Sequence, residues 1–246
     1  MNRSNRWTLA LLVLALLAVP SAASRAETRI GVAASTKPNA DGLVGAGSQP
    51  LSAGSEVFAN ETVRTGNLGQ ADLVFVDKTN LTVGPTSEVL LDKFVYDPTG
   101  PNGKVVLQLT RGAFRFVTGT QDHRAYAVNT PFGSLGVRGT TVEVVVSEKK
   151  GRKPRPDECV TKVRLVEGTE ASFTLPSGKT ARLTEPNQTV CISPTGAITY
   201  GSSSTSILGF QLAQQATPPP SPTAPPSGTT PPTVPPITPC ITQCSP

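Results

Sequence analysis

The chain has 246 residues, with 24 prolines, 22 glycines, 5% aromatic residues and a formal net charge of +5 at pH 7. Three of the cations, Arg3, Arg6 and Arg25, lie in the first 26 residues without any acidic residue, so the remainder carries only +2 and gives no support for nucleic-acid binding. The sequence also has no G-x-S-x-G nucleophile motif, no histidine-rich metal motif and no G-x-x-x-x-G-K-S/T phosphate loop, which argues against the enzymes that depend on them.

The first predicted element is a secretory leader at residues 1–26. It has two arginines near the start, an apolar run at residues 9–19 that is too short to cross a bilayer, and small residues at Ser24 and Ala26. We therefore expect a signal peptide cleaved after Ala26 and a protein located in the periplasm or secreted. An uncleaved anchor is the alternative, and no other window is long and apolar enough to span a membrane.

Short β-strands dominate the prediction for the rest of the chain. Residues 27–53 are a small, Gly-rich segment with weak strands at residues 30–34 and 43–45, and residues 54–200 form the main β domain. Its predicted strands are residues 56–64, 71–76, 80–83, 88–94, 104–110, 113–118, 160–166, 170–175, 180–184 and 189–192. Turns rich in Pro, Asn, Asp and Gly separate them. The pattern predicts an all-β fold, a jelly-roll-like sandwich or β-roll of antiparallel strands; a right-handed β-solenoid is the alternative, although no repeat period is visible.

The strongest pattern lies in residues 126–147, where a strand, a Gly-rich corner and a second strand follow each other. Pro131 fixes its own φ and favours an extended backbone at Thr130. Three glycines then recur at every third position, as in a backbone that bends or approaches another segment closely: Gly133, Gly136 and Gly139. Residues 140–146 are a β-branched run in which Glu143 is the only charge, which is typical of a buried strand.

This stretch resembles the signature of the FecR domain family. The resemblance rests on Asn129-Thr130-Pro131-Phe132-Gly133, on Val137-Arg138-Gly139-Thr140 and on Val142-Glu143-Val144. Further family segments occur in order at residues 54–65, 71–85, 105–116 and 163–168, so the similar region spans about residues 51–191. Asp77-Lys78 stands where the family more often has Asp-Gly, which leaves the turn type open. The resemblance implies an all-β domain.

Arg138 has two interpretations. Its guanidinium could bind an anionic ligand, or it could donate to carbonyls of the adjacent corner and hold the arch closed. We expect the structural role, because the motif recurs across a family of varied context. The motif residues assigned to this architecture are Thr130, Pro131, Gly133, Val137, Arg138, Gly139 and Thr140.

No catalytic, cofactor or metal site is predicted. His123, next to Asp122, is expected in an exposed loop, because a general base needs a partner and an oriented substrate. Four acids are expected on solvated strand faces and in turns instead of forming a glycosidase pair: Asp72, Asp77, Glu88 and Asp92.

The four cysteines predict disulfides. Cys159 and Cys191 lie at the ends of consecutive strand segments in a chain expected to be exported, so we expect them to be bonded. Cys240 and Cys244 lie in the tail and could close a small ring or pair between chains. A zinc site is the weaker alternative, because His123 is distant in sequence and two cysteines cannot complete a tetrahedron.

The C-terminal part is predicted to contain a short helix followed by a disordered tail. Residues 201–216 include a helical pattern at residues 206–216, capped by Thr205 or Ser206. Residues 217–246 are Pro-rich and are expected to form a disordered, polyproline II-like spacer or interaction tail.

The resemblance implies a non-enzymatic module that acts by binding in the bacterial envelope. Family members of the iron-dicitrate regulator kind pass a signal from an outer-membrane siderophore transporter to a sigma factor across the inner membrane. This chain departs from them because no cytoplasmic anti-sigma region or membrane span is expected before its β domain. We therefore expect a sensing, signalling or scaffolding role with a protein partner such as a membrane receptor or signalling protein, without cofactor or nucleic acid. A structural or adhesive module that binds glycan or cell wall is the alternative, and an enzyme is the third.

Overall fold

The protein is seen in a computed structural model that describes residues 28–100, 102–147 and 153–211. These residues form strands and one short 3₁₀ helix, His123–Ala125. The strands are β1 Arg29–Lys37, β2 Ala40–Val44, β3 Gly47–Pro50, β4 Glu56–Phe58, β5 Glu61–Thr65, β6 Gln70–Phe75, β7 Asn80–Val83, β8 Glu88–Val95, β9 Lys104–Val117, β10 Tyr126–Thr130, β11 Gly133–Arg138, β12 Thr141–Val146, β13 Thr161–Glu167, β14 Glu170–Thr174, β15 Thr180–Leu183, β16 Gln188–Ile192 and β17 Ile198–Ser202. The all-β prediction is confirmed, and the described ranges show no solenoid.

The strands make one open, mixed sheet. It has two parts, sheet A and sheet B, which share strand β9. Sheet A has the order β4-β1-β6-β7-β9-β12-β13-β16-β17, and sheet B has the order β3-β2-β5-β8-β9-β10-β11-β14-β15. Among the strands of the described residues, β9 and β10 are the one parallel pair. On each side of β9, four strands complete each sheet.

Strand β9 belongs to both sheets because it bends at Gly112. Its first part pairs with β8 and β10, and its second part pairs with β7 and β12. Gly112 has a φ of +107°, and a Cβ there would collide with the side chain of Ser87. Ser87 is held in that position because its Oγ accepts from the amide of Ala113 at 3.0 Å. Glycine is therefore required where the strand changes sheets.

The core lies between the two sheets. Alternate residues of the strands point inward and form one cluster of buried aliphatic and aromatic side chains. Two aromatic contacts cross from sheet A to sheet B: Phe75 to Phe94, with ring centroids 5.7 Å apart, and Phe116 to Tyr126, at 5.9 Å. Strands such as β5 and β15 alternate buried and more exposed residues, whereas β7 and β12 are buried along nearly their whole length.

Several strands differ from the prediction. Strands β3 and β17 were not predicted, and β1 and β2 are longer than expected. Residues 56–64 form two strands, β4 and β5, because Asn60 adopts a φ of +64° between them. Residues 104–110 and 113–118 form the single strand β9, because Gly112 bends the chain without ending its ladder. In residues 126–147 the expected corner is itself a strand, β11, which pairs with β10 and β14.

The predicted helix at residues 206–216 is wrong for its described part. Residues 203–211, which we call the C-terminal strap, follow β17 without regular secondary structure, and Gly209 has a φ of +72° that a helix cannot contain. The strap lies on the outer face of sheet A: the Ile207 amide donates to Glu143 Oε2 at 2.9 Å, and the Phe210 ring occupies the space above Gly84. Residues 212–246, with Cys240 and Cys244, lie outside the described part, as does the leader. No helix in the described ranges could cross a membrane.

The predicted disulfide between Cys159 and Cys191 is confirmed, with the two Cα atoms 5.5 Å apart. It connects the chain just before β13 to β16, which are paired neighbours in sheet A. It closes a loop with a sequence separation of 32.

We expect Cys159→Ser with Cys191→Ser to lower the free energy of unfolding by roughly 3 to 4 kcal/mol, because the open chain gains conformational entropy when unfolded. Urea denaturation under non-reducing conditions would measure the loss. The oxidised and reduced forms of the native protein provide the matched pair, and identical midpoints for both would contradict the expectation.

Candidate functional site

The motif arginine lies at the end of β11 on the outer face of sheet B. Leu135 and Val137 of this strand point into the core, so the alternation of side chains places Gly136 and Arg138 on the opposite face. Arg138 is exposed, and its guanidinium makes no hydrogen bond or ion pair with any residue in the described ranges. The expected bonds from this guanidinium to corner carbonyls are therefore absent from the described structure, because strand phase directs the side chain away from the corner.

The corner is held by backbone and threonine contacts instead. Gly139 has a φ of +54°, which ends β11. The Thr140 amide donates to Thr118 Oγ1 at 3.0 Å, and the Thr118 amide donates to the Thr140 carbonyl at 3.1 Å. Thr169 Oγ1 donates to the Arg138 carbonyl at 3.2 Å. The backbone of Arg138 is thus fixed on both sides while its side chain remains available.

A depression of about 270 Å³ lies beside this side chain, and we call it the Arg138 groove. Its lining residues are His123, Arg124, Tyr126, Gly136, Val137, Arg138, Glu170 and Ser172. Gly136 and Ser172 are directly paired residues of β11 and β14, and together they form a stretch of small side chains between the charged ends. The floor of the groove is therefore the outer surface of the paired strands β11 and β14, and polar side chains surround it.

The charges around the groove are unequally compensated. Arg124 forms a two-point ion pair with Asp122, Nε to Oδ1 at 3.0 Å and Nη2 to Oδ2 at 3.2 Å, and these bonds hold the pKa of the Asp122 carboxyl well below its usual range. Glu170 lies 4.0 Å from Arg182. Among the described residues, no carboxylate lies within ion-pair distance of Arg138. Glu170 lies directly opposite Arg138 in the β11–β14 pairing but is beyond ion-pair distance of it, so Arg138 is the groove's cation that is not ion-paired within the described ranges.

The remaining motif residues lie at the other end of β11. In the β10–β11 hairpin, Thr130 Oγ1 donates to the Gly133 carbonyl at 3.0 Å and accepts from the Phe132 amide at 3.2 Å. Pro131 and Phe132 line a second depression of about 280 Å³ together with the turns after β14 and β16. Its lining is mainly proline, leucine and serine, which offers little chemistry, so the motif's threonine and proline shape a turn.

A buried polar network, which the sequence did not reveal, lies next to the groove. Asp77 Oδ1 accepts from the Thr79 amide at 2.9 Å, and its Oδ2 accepts from Thr79 Oγ1 at 2.7 Å, Tyr126 OH at 3.0 Å and Gln121 Nε2 at 3.2 Å. Burial raises the pKa of Tyr126. Asp77 is fully buried, so the expectation of a solvated position was wrong for this acid. The network ties the β6–β7 turn to the loop that carries His123.

A second buried polar cluster joins the strap to sheet A. Arg164 donates through Nη1 to Glu143 Oε2 at 3.1 Å, through Nη2 to Asn187 Oδ1 at 2.6 Å and through Nε to the Ser203 carbonyl at 2.8 Å. The side chains of Arg164 and Glu143 are only 7% and 1% exposed. Glu143 was noticeable in sequence as a single charge in a β-branched run, but its partner lies on the next strand and had no such signal.

The other predicted candidates lie apart from one another. Asp72 accepts from Ser35 Oγ and Thr82 Oγ1, Glu88 pairs with Arg64 and Arg111, and Asp92 accepts from Gln108. His123 is exposed, as expected, with its Nδ1 3.6 Å from Asp122 Oδ1. The described ranges contain no group of three or more His, Cys, Asp or Glu side chains that could hold a metal ion.

Comparison with known proteins supports the family resemblance. The sequence model described as FecR protein matches residues 61–169, which include the motif and every strand from β5 to β13. None of the curated proteins matches the chain. Two crystal structures of a proposed anti-sigma factor from Parabacteroides distasonis ATCC 8503 are similar at 13% identity, with TM-scores of 0.43 and 0.42. In each case the similar region covers 57% of this chain and 59% of the other.

Proposed function

Because residues 61–169 match the FecR family, we propose that this protein is a signalling-related binding module that works in the bacterial envelope through a protein partner. The observation that carries the proposal is the family match, since it covers the core of the β fold and includes the strand that presents Arg138. The Arg138 groove gives the module a polar surface that is suited to a partner. Both a sensing role and a scaffolding role would depend on this contact with the partner protein.

We propose that the protein has no catalytic activity. The buried carboxylates of Asp77 and Glu143 are surrounded by hydrogen-bond donors of their own fold, which favours structural roles for both. The half-buried Asp122 is engaged by Arg124. A general acid or base requires a group that is free to exchange a proton with a substrate, so these acids are poor candidates for that role.

Export is part of the proposal. The disulfide supports it, because such bonds persist in oxidising compartments and are rare in the cytosol. We expect cleavage after Ala26, so the intact mass of protein isolated from the periplasm should correspond to a chain that begins at Glu27. A mass that retains residues 1–26, or recovery of the protein only from the cytosol, would contradict export by cleavage.

Affinity capture tests the binding function. The full mature chain, immobilised through an N-terminal tag, is incubated with solubilised envelope extract, and the control is the same chain after reduction and denaturation. We expect the folded chain to enrich a membrane receptor or an envelope signalling protein. Recovery of glycan or cell-wall fragments without protein would contradict the proposal and support an adhesive module instead.

A further inference from the structure

The Arg138 groove has the composition of a site for a single acidic side chain. Of the arginines at this groove and its rim, Arg124 and Arg182 each have a carboxylate partner, whereas Arg138, which lies opposite Glu170 in the β11–β14 pairing, has no ion pair among the described residues. The geometry points to a carboxylate-bearing segment of the partner protein as the occupant, with an Asp or Glu side chain bound to the Arg138 guanidinium. This inference rests on the proposed binding function and identifies the chemistry of the contact.

The groove supplies hydrogen-bond donors that suit a carboxylate. The Arg138 guanidinium presents a planar fork that can bond both carboxylate oxygens. The Ser172 hydroxyl lines the same groove and makes no hydrogen bond within the described ranges, so it can donate to the same group. Two donors of this kind on neighbouring strands favour an acceptor that carries negative charge.

The size of the groove favours one side chain of a peptide over a free small molecule. Its volume of about 270 Å³ lies below the range of roughly 300–1,000 Å³ for small-molecule pockets. The groove is open because residue 136 is glycine: a Cβ at this position would lie 3.1 Å from Ser172 Oγ. A larger side chain at residue 136 would therefore project into the space that the ligand needs.

The backbone below the guanidinium is already fixed. Thr118 and Thr169 bind the chain on both sides of Gly139, as described above, so binding immobilises only the Arg138 side chain. Preorganisation of this kind reduces the entropy lost on association.

The surrounding charges disfavour nucleic acid as the partner. A protein that binds a phosphate backbone needs several Lys or Arg side chains without carboxylate partners, because these side chains displace the counterions of the nucleic acid. Here the carboxylates of Asp122 and Glu170 flank the groove and neutralise the nearest arginines. They would repel an extended polyanion more strongly than a single carboxylate, because a polyanion brings many more negative charges near them.

Amide chemical shifts measured by NMR can test the contact in the full mature chain. The probe is the capped peptide acetyl-Ser-Glu-Ser-Asp-Ser-amide, and its control is the uncharged analogue with Gln and Asn. We expect the acidic peptide to shift the amides of Gly136, Arg138 and Ser172, and the uncharged peptide to leave them unchanged. Arg138→Gln should weaken binding roughly tenfold or more, because a charge-assisted bond is lost, and Arg138→Lys should restore part of it.

A second variant separates shape from charge. Gly136→Val keeps every charge and suits a β-strand, so it should abolish the shifts while the melting temperature stays close to that of the native protein. Equal binding of both peptides, undiminished binding by Arg138→Gln, or stronger shifts of the same amides by inorganic phosphate than by the peptide would overturn the inference.

Affinity capture distinguishes this inference from the proposed function. If native protein and Arg138→Gln retain the same envelope protein equally, the groove is not the contact and the binding function stands. If native protein retains no envelope protein, the proposed function fails, and the peptide titration still decides whether the groove binds carboxylates.

Discussion

Arg164→Ala should lower the free energy of unfolding by about 3 to 5 kcal/mol, because it leaves the carboxylate of Glu143 buried without its countercharge. The two side chains are 7% and 1% exposed, so water cannot replace the lost bonds without opening the structure. The same change also removes the donor to the Ser203 carbonyl, which anchors the start of the strap. Chemical denaturation monitored by far-UV circular dichroism would measure the loss.

Arg182→Ala is the matched control. Its side chain is 74% exposed and lies 4.0 Å from Glu170, so removing it should change stability by about 0.5 kcal/mol or less. The double variant Glu143→Leu with Arg164→Met should recover much of the loss, because it removes both buried charges. In all variants that lack Glu143, the Ile207 amide should exchange its hydrogen faster, since Glu143 Oε2 is its acceptor. Equal stability of Arg164→Ala and Arg182→Ala would show that the buried pair does not hold the strap.

Asp77→Ala should destabilise the protein by about 3 kcal/mol or more, because it leaves several buried donors without an acceptor. These donors are the Thr79 amide and hydroxyl, the Gln121 side-chain amide and the Tyr126 hydroxyl. The loss should be concentrated in the loop that carries His123, because two of the four donors belong to it or directly follow it. Thermal melting gives the overall effect, and hydrogen exchange of the Gln121 amide locates it.

Asp157→Ala is the control for this substitution, because Asp157 is exposed and should tolerate the change within about 0.5 kcal/mol. Tyr126→Phe removes only one donor from the network and should fall between the two, at about 1 kcal/mol. A melting temperature for Asp77→Ala equal to that of Asp157→Ala would rule out a structural role for the network.

Many strands were predictable because they are β-branched or apolar runs separated by turn residues, and some of them, such as β5 and β15, bury every second residue. The alternation is clear even in a strand as short as β15, whereas β7 buries three residues in a row. The connections between strands depended on backbone conformations that composition does not specify. Arg111-Gly112 resembles a turn, yet the ladder continues through it into the other sheet. Residues 206–216 have the apolar spacing of a helix, but in the described strap Ile207 is bound to Glu143 and Phe210 packs on Gly84, so tertiary contacts override local propensity.

The candidate site was predicted in part. The motif that contains Arg138 was found, but the direction of its side chain depends on the phase of β11, which is fixed by Leu135 and Val137 in the core. The environment of Asp77 could not be predicted, because its partners Gln121 and Tyr126 are more than forty residues away in sequence. The Cys159–Cys191 bond was predictable because it joins the ends of neighbouring strand segments.

The bend of β9 at Gly112 affects the order in which the chain can fold as it emerges from a ribosome or a translocation channel. Strands β1 to β8 supply four strands to each sheet, and all of them lie on one side of β9. Until β9 emerges, β7 and β8 have free edges and the two half-sheets have no common strand. Once β9 has paired with them, its other edges become the template for β10 and β12. The two halves of the chain should therefore fold in sequence but unfold together, since loss of either half exposes one edge of β9 in each sheet.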